Sequence, residues 1–323
     1  MSQKTDRPAL LLATRMSGVL VDQLAAHFEV LGPLQVPFTA AVATLPRADA
    51  ERVQALVTMG TSDTTREAIA LLPALRVICC FGSGYEGVDL AAARERGIAV
   101  THSPGANAAS VADLALGLLV ASVRDLFGSG AYLHSGEWEN KGRRRRGGRG
   151  LTRRRIGIFG LGAIGEAIAR RAVAFDMEVG YYNRKPRADV PYRYFASLLE
   201  LATWADVLMV SVRADASTRH AVDATILRAL GPEGHVVNIA RGSAIDEAAL
   251  IAALRDGVIA GAGLDVFEHE PAVPAALRAL PNVALTPHIG GDTEEAVAAM
   301  SAMVIANLDA FFSGRPVLNP VPG

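Results

Sequence analysis

A short apolar run at residues 156–159 leads straight into Gly160-Leu161-Gly162-Ala163-Ile164-Gly165, and a helix-like stretch follows to residue 175. Alone, G-x-G-x-x-G says little, because 31 of the 323 residues are glycine. Between a strand and a helix it has a physical reading. The first glycine permits a tight turn, the second lets the backbone approach a pyrophosphate, and the third lets helix and strand pack closely. The open N–H groups of the helix start then face the anion. Gly160, Leu161, Gly162, Ala163, Ile164 and Gly165 are therefore expected to bind a dinucleotide.

The rest of the chain alternates in the same way. Apolar runs at 178–182, 207–212, 235–239, 261–266 and 283–286 complete six predicted strands with 156–159, separated by predicted helices at 163–175, 197–201, 224–230 and 247–256. A first alternation precedes them, with strands at 9–13, 55–59, 77–81 and 98–101 and helices at 18–27, 64–72 and 90–96. Such alternation implies parallel sheets covered by helices on both faces. An alanine- and leucine-rich stretch at 109–126 predicts a long helix, and 293–312 a long amphipathic one. The tail 315–323 holds three prolines and should be extended. The length suits two domains.

With 32 Lys and Arg against 33 Asp and Glu, the formal charge is −1. No global field therefore favours nucleic acid or an anionic membrane. Strongly apolar stretches such as 9–13 and 207–210 are too short to span a bilayer, and the opening residues lack the apolar core of a secretory leader. Eight arginines fall within 141–155, at 143, 144, 145, 146, 149, 153, 154 and 155. No aromatic residues interleave them for base stacking, which favours a solvated loop over a phosphate-binding patch. Cys79 and Cys80 are adjacent. A vicinal disulfide is strained, so both are expected as reduced core residues of a cytoplasmic protein. No Cys/His spacing suggests a metal.

Two further features concern chemistry. An enzyme using NAD typically carries Asp or Glu at the end of the second strand, to bind the ribose 2′-hydroxyl. Here Asn183-Arg184-Lys185 stands there. A carboxylate would repel a 2′-phosphate and the two cations would attract it, so NADP(H) is expected in preference to NAD(H). Transfer of a hydride to a carbonyl also needs a proton donor that titrates near neutrality, which favours histidine. Of His27, His102, His134, His220, His235, His269 and His288, the last stands out. It lies in Thr286-Pro287-His288-Ile289-Gly290-Gly291, just past the sixth predicted strand, at the carboxyl edge where ligands bind in open α/β folds. Arg241 and Glu270 follow two other strands on that edge.

At this point the sequence resembles the D-isomer-specific 2-hydroxyacid dehydrogenase family. The matching segments are Gly160–Gly165, Val237-Asn238-Ile239-Ala240-Arg241-Gly242, Gly263-Leu264-Asp265-Val266-Phe267-Glu268-His269-Glu270-Pro271 and Thr286-Pro287-His288-Ile289-Gly290. Gly82-Ser83-Gly84-Tyr85-Glu86-Gly87-Val88-Asp89 looks like the family's substrate loop. The resemblance implies two doubly wound parallel-sheet domains, a Rossmann dinucleotide-binding domain at 103–290 inserted in a flavodoxin-like substrate domain at 1–102 and 291–323. It implies that Arg241 binds the substrate carboxylate, that His288 exchanges the proton, and that Glu270 orients His288. Ser83 and Gly84 would grip the carboxylate, Met59 would border the substrate, Asp265 would face the nicotinamide, and Ile239 and Arg213 would border the cofactor. His269 is the rival acid, facing away from Glu270 if that segment is extended.

The implied reaction is reduction of a small 2-oxo acid of the glyoxylate or hydroxypyruvate type to a D-2-hydroxyacid, in a homodimer joined by the helix from 109 and the arm after it, with Trp138 reaching a partner's pocket. Hydroxyphenylpyruvate or 2-ketogluconate reduction is the alternative within the family. A dinucleotide-sensing corepressor and a hydrolase with bound NAD are the alternatives of other classes. Two departures stand out. Gly291 and Asp292 replace a small pair after Gly290, and Arg213 replaces a proline.

Overall fold

Two cysteines side by side in the sequence lie in different cores: Ile78 and Cys80 pack in one apolar cluster, Val77, Cys79 and Phe81 in another. Successive strand side chains point to opposite faces, so a sheet buried on both faces needs a strand that is apolar throughout. Both thiols are free, and burial pushes that of Cys79 up to about 12.

The structure is a computed structural model that describes residues 7–34, 37–142 and 150–322. The arginines at 143–146 and 149 lie outside the described residues. The chain divides into two compact units, one of residues up to Asn107 and from Asp292 on, the other Ala108–Gly291. The smaller unit carries β1 (Ala9–Leu12), β2 (Glu29–Leu31), β3 (Val53–Met59), β4 (Val77–Phe81) and β5 (Ala99–Thr101). They form one parallel sheet in the order β2-β1-β3-β4-β5, the flavodoxin-like order. β2 was not foreseen. It is three partly buried residues at a sheet edge, too short to show a period.

The larger unit carries β6 (Arg155–Phe159), β7 (Glu178–Tyr182), β8 (Arg193–Tyr194), β9 (Val207–Val210), β10 (His235–Asn238), β11 (Gly261–Leu264) and β12 (Val283–Leu285). The parallel order is β12-β11-β10-β9-β6-β7-β8. The sheet thus has seven strands where six were expected. The extra one, β8, has two residues, and two residues carry no period to read. The order reverses between β6 and β9, the switch point at which such sheets bind ligands.

Helix Ala108–Arg124 ends two residues earlier than expected, because Asp125 takes φ +49 and breaks the turn. Two short helices, Leu126–His134 and Glu137–Lys141, follow with no buried residue. In the smaller unit, helix Glu294–Phe312 begins at Thr293, whose side chain accepts from the Ala296 N–H, and Glu294 and Glu295 complement its dipole. Contrary to expectation, this helix is long and apolar enough by composition to span a bilayer. Its apolar face is spent internally: Ala296, Met300, Val304 and Leu308 pack with strand residues such as Leu10 and Val77.

Candidate functional site

Each glycine of the loop after β6 has its own job. Gly160 takes φ +99, and a Cβ there would lie 2.8 Å from the Val212 N. A Cβ at Gly165 would lie 2.2 Å from the Gly160 carbonyl oxygen. A Cβ at Gly162 would meet nothing within 4 Å, so that position faces open space. Gly162 caps helix Ala163–Ala174 without any side-chain hydrogen bond, leaving the first N–H groups open. A cleft of about 980 Å³ runs from this loop past Tyr182–Lys185 to Ser211–Thr218 and Ala221. Its size, its bare Gly162 and its open helix start fit a dinucleotide.

Asn183 is tied into the loop, its Oδ1 accepting from the Leu161 N–H at 2.7 Å. Arg184 and Lys185 are exposed at the cleft wall. Arg213 lies 3.9 Å from Asp215 across the same cleft. The Asp215 carboxyl is held below its usual range, first by the Ser217 hydroxyl and further by the charge of Arg184. Arg187, which the sequence did not single out, staples the loop from behind: Nη1 donates to the Leu161 carbonyl at 3.1 Å and to Glu166 at 2.9 Å.

On the same carboxyl edge, His288 and Glu270 meet, with Nδ1 to Oε2 at 2.6 Å. Glu270 accepts, so Nδ1 carries the proton and Nε2 is the nitrogen left for a substrate. Burial alone would push the Glu270 carboxyl up. The hydrogen bonds from His288 and the Phe267 N–H, with the charges of His288 and Arg241, outweigh that and hold it below the usual range. An apolar hollow of about 330 Å³, walled by Phe267, Val273, Leu285 and Pro287, lies beside the pair.

Asp265 sets the backbone that carries His288. It is 2% exposed. Its Oδ1 accepts from the Thr286 hydroxyl at 2.7 Å and the Ile289 N–H at 2.9 Å, and its Oδ2 from the Gly290 N–H at 2.8 Å. His288 itself takes φ +56, a conformation that costs of order 1–3 kcal/mol and persists only where the surroundings impose it. Both carboxylate oxygens of Asp265 are committed to that task. Arg241 follows β10, its Nη1 donating to the Ala240 carbonyl at 2.6 Å. The next residue must be glycine: a Cβ at Gly242 would lie 1.9 Å from the Phe267 carbonyl carbon, so any side chain there would push away the segment that carries Glu270. Ile239 is buried at the end of β10. His269 is exposed, with no acid on its ring among the described residues.

In the smaller unit, Gly60 permits an equally close approach, since a Cβ there would lie 1.7 Å from the Gly84 carbonyl oxygen. His102 Nδ1 donates to the Ser83 carbonyl at 2.9 Å, and the Ser83 hydroxyl donates to Asn107 at 3.0 Å. The N–H groups of Ser83 and Gly84 donate to nothing among the described residues. Met59, at the end of β3, is 38% exposed.

The family model for the D-isomer-specific 2-hydroxyacid dehydrogenase NAD-binding domain matches residues 116–290. The chain is 38% identical to glyoxylate/hydroxypyruvate reductase A of Arabidopsis thaliana, over 97% of this chain and 98% of the relative. The chain belongs to the D-isomer-specific 2-hydroxyacid dehydrogenases. Hydroxyphenylpyruvate reductase of Plectranthus scutellarioides is also 38% identical, over 97% and 98% of the two chains. Among solved structures, an NADPH-dependent glyoxylate/hydroxypyruvate reductase from Sinorhizobium meliloti in complex with NADP and malonate is 40% identical with a TM-score of 0.92, covering 98% of this chain and 97% of that one.

For this dehydrogenase, three positioning residues escaped the sequence reading. Arg187 carries no motif. Asp265 was read only as a neighbour of the nicotinamide. His102 stood in a list of seven histidines. In each case the signal is a hydrogen bond to a residue 19 or more positions away, which no local pattern reports.

Proposed function

We propose that this dehydrogenase reduces small 2-oxo acids of the glyoxylate and hydroxypyruvate type to D-2-hydroxyacids, with NADPH as the preferred donor. The His288–Glu270 contact of 2.6 Å carries the reading, because a carboxylate partner favours a protonated Nδ1 and leaves Nε2 for a substrate, with the charge of Arg241 reaching Glu270. Reduced nicotinamide, when held in the cleft, would supply the hydride. Arg241 holds the substrate carboxylate and draws electron density onto the 2-oxo group. His288 Nε2 gives its proton to the developing alkoxide, and Glu270 stabilises the imidazolium before transfer. In the smaller unit, the open N–H groups of Ser83 and Gly84 suit a carboxylate, and Met59 is the side chain there that would border a substrate.

The preference for NADPH rests on Asn183, which puts an amide where a carboxylate would repel a 2′-phosphate, and on the exposed cations Arg184 and Lys185, with Arg213 nearby. The homodimer rests on the arm: Leu126, Phe127, Leu133 and Trp138 are 47%, 53%, 53% and 53% exposed, an apolar patch that suits a second copy. Free buried thiols suit the cytoplasm.

A panel of 2-oxo acids, assayed with NADPH and with NADH, tests the reading. Glyoxylate and hydroxypyruvate should turn over with a kcat/KM higher for NADPH. Failure of every 2-oxo acid would overturn the enzyme, and preference for NADH would overturn the cofactor assignment. The relationship to hydroxyphenylpyruvate reductase makes aromatic 2-oxo acids the second set to assay.

A further inference from the structure

Glu268 lies two residues before Glu270 and is held from several sides. Its carboxylate accepts from His220 Nε2 at 2.8 Å and from Arg219 Nη2 at 3.0 Å, and its side chain is 14% exposed. Its N–H donates to Glu247 Oε2 at 3.3 Å. Its backbone lies against Gly242, where a Cβ would be 2.2 Å from the Glu268 N. His220 reaches this point with φ +50, a conformation uncommon for a residue with a side chain. Its N–H donates to the Ser243 carbonyl at 2.7 Å, and Val222 bridges to Ile245.

One loop therefore links two places. Its first half, Arg213 to Thr218, walls the dinucleotide cleft. Its second half clasps both the turn after Arg241 and the turn that ends in Glu270. Charge alone does not require this arrangement, since Arg219 could neutralise Glu268 from solvent. The directed Nε2 contact and the unusual backbone of His220 fix a distance.

We propose that His220 is a positioning residue for the reduction, acting through Glu268 to hold the turn 267–270 so that Glu270 meets His288. The inference rests on the reading of Glu270 and His288 as the proton-transfer pair. Loosening the clasp lets the Glu270 carboxylate drift from a contact of 2.6 Å, and displacements of about 1 Å cost up to 10²-fold in rate.

The test is a double-mutant cycle read by kcat and its pH profile, with glyoxylate and NADPH. His220→Asn tolerates the same backbone region but is too short to reach Glu268, whereas His220→Gln restores an N–H at about the right distance. His220→Asn should lower kcat roughly tenfold and move the alkaline limb of the profile in the direction that Glu270→Gln moves it, and His220→Gln should recover most of both. In a Glu270→Ala background, where no side chain is left to be positioned against His288, His220→Asn should change kcat by less than about twofold. Equal losses in both backgrounds would mean a merely structural contact and would overturn the proposal. A Glu270→Gln enzyme with unchanged rate and profile would overturn the proton-transfer reading and this inference together. A large Glu270→Gln effect with a silent His220→Asn would overturn this inference alone. Should His220→Asn fail to fold, Glu268→Gln, equal in size, is expected to lower kcat about threefold and to lose that effect beside Glu270→Ala; no loss overturns the proposal.

Discussion

His235 and His288 sit at opposite edges of one parallel sheet, and each holds a partner through Nδ1. His235 begins β10 and pairs with the Ser122 hydroxyl at 2.9 Å. It is 8% exposed, and burial, helped by the charge of Arg154, pushes its pKa down to about 4. His288 follows β12, keeps 37% of its side chain exposed and pairs with a carboxylate at 2.6 Å. A cavity opens beside each, about 380 Å³ at His235 and about 330 Å³ at His288, so space does not separate them. Burial and the partner do. Burial keeps the His235 ring neutral beside a hydroxyl, while His288, at the solvent edge, faces a carboxylate.

The widest gap should open between the two histidines themselves. His288→Ala, and likewise Arg241→Ala, should lose at least about 100-fold in kcat while still binding NADPH, because general acid catalysis contributes 10²–10⁴-fold. His235→Gln should stay within about twofold of wild type, having no proton to give. Comparable losses at both histidines would erase the contrast.

The carboxyl edge should also be where the dinucleotide is read. Arg184→Ala should weaken NADPH roughly tenfold, the order of one charge-assisted contact, and leave NADH nearly unchanged. Asn183→Asp should add to this by repelling the 2′-phosphate, while the loop tie to the Leu161 N–H survives because the acceptor oxygen remains. Ratios of kcat/KM for the two cofactors at low salt read the effect. A ratio untouched by Arg184→Ala would shift the contact to Lys185 or Arg213.

Glu270→Gln sharpens the partner argument with a smaller change in rate, on the order of tenfold or less at neutral pH. The amide still accepts from Nδ1–H but no longer stabilises a positive ring. Reduction should therefore fade at lower pH than in wild type. An unchanged profile would remove the carboxylate from the mechanism.

The smallest effect concerns stability. With a folded pKa of about 4 against an ordinary 6.5, His235 binds fewer protons when native than when unfolded between those values. Stability therefore rises with pH across that window and falls on acidification. His235→Gln should show a shallower fall in Tm between pH 7 and pH 4.5, by a few degrees. An identical slope would mean that His235 is not the group being titrated.

How much of this was legible differs from residue to residue. Helix Gly18–His27 was foreseen with its bounds intact, because Ser17 caps it and leucines return at helical spacing. The arm helices after Asp125 were not, since they bury nothing and so show no apolar stripe. Arg241, Glu270 and His288 could be chosen because each follows a readable strand. His288 was preferred to His269 from its place past a readable strand, and in the structure it is His288 that meets Glu270.

The sequence by itself determined the alternation of strands and helices, the glycine turn, and the identity of the groups at the strand ends. These are local: period, capping and turn chemistry act over a few residues. Tertiary structure decided which of those groups meet. The tie of Asp265 to Ile289 spans 24 positions, that of Arg187 to Leu161 spans 26, and that of Ser122 to His235 spans 113. The approach of Gly242 to Phe267 exists only because the crossover through helix Glu247–Arg255 brings β10 beside β11. A local pattern carries no record of such distances, so the strained His288, the neutral His235 and the clasp on Glu268 came from folding alone.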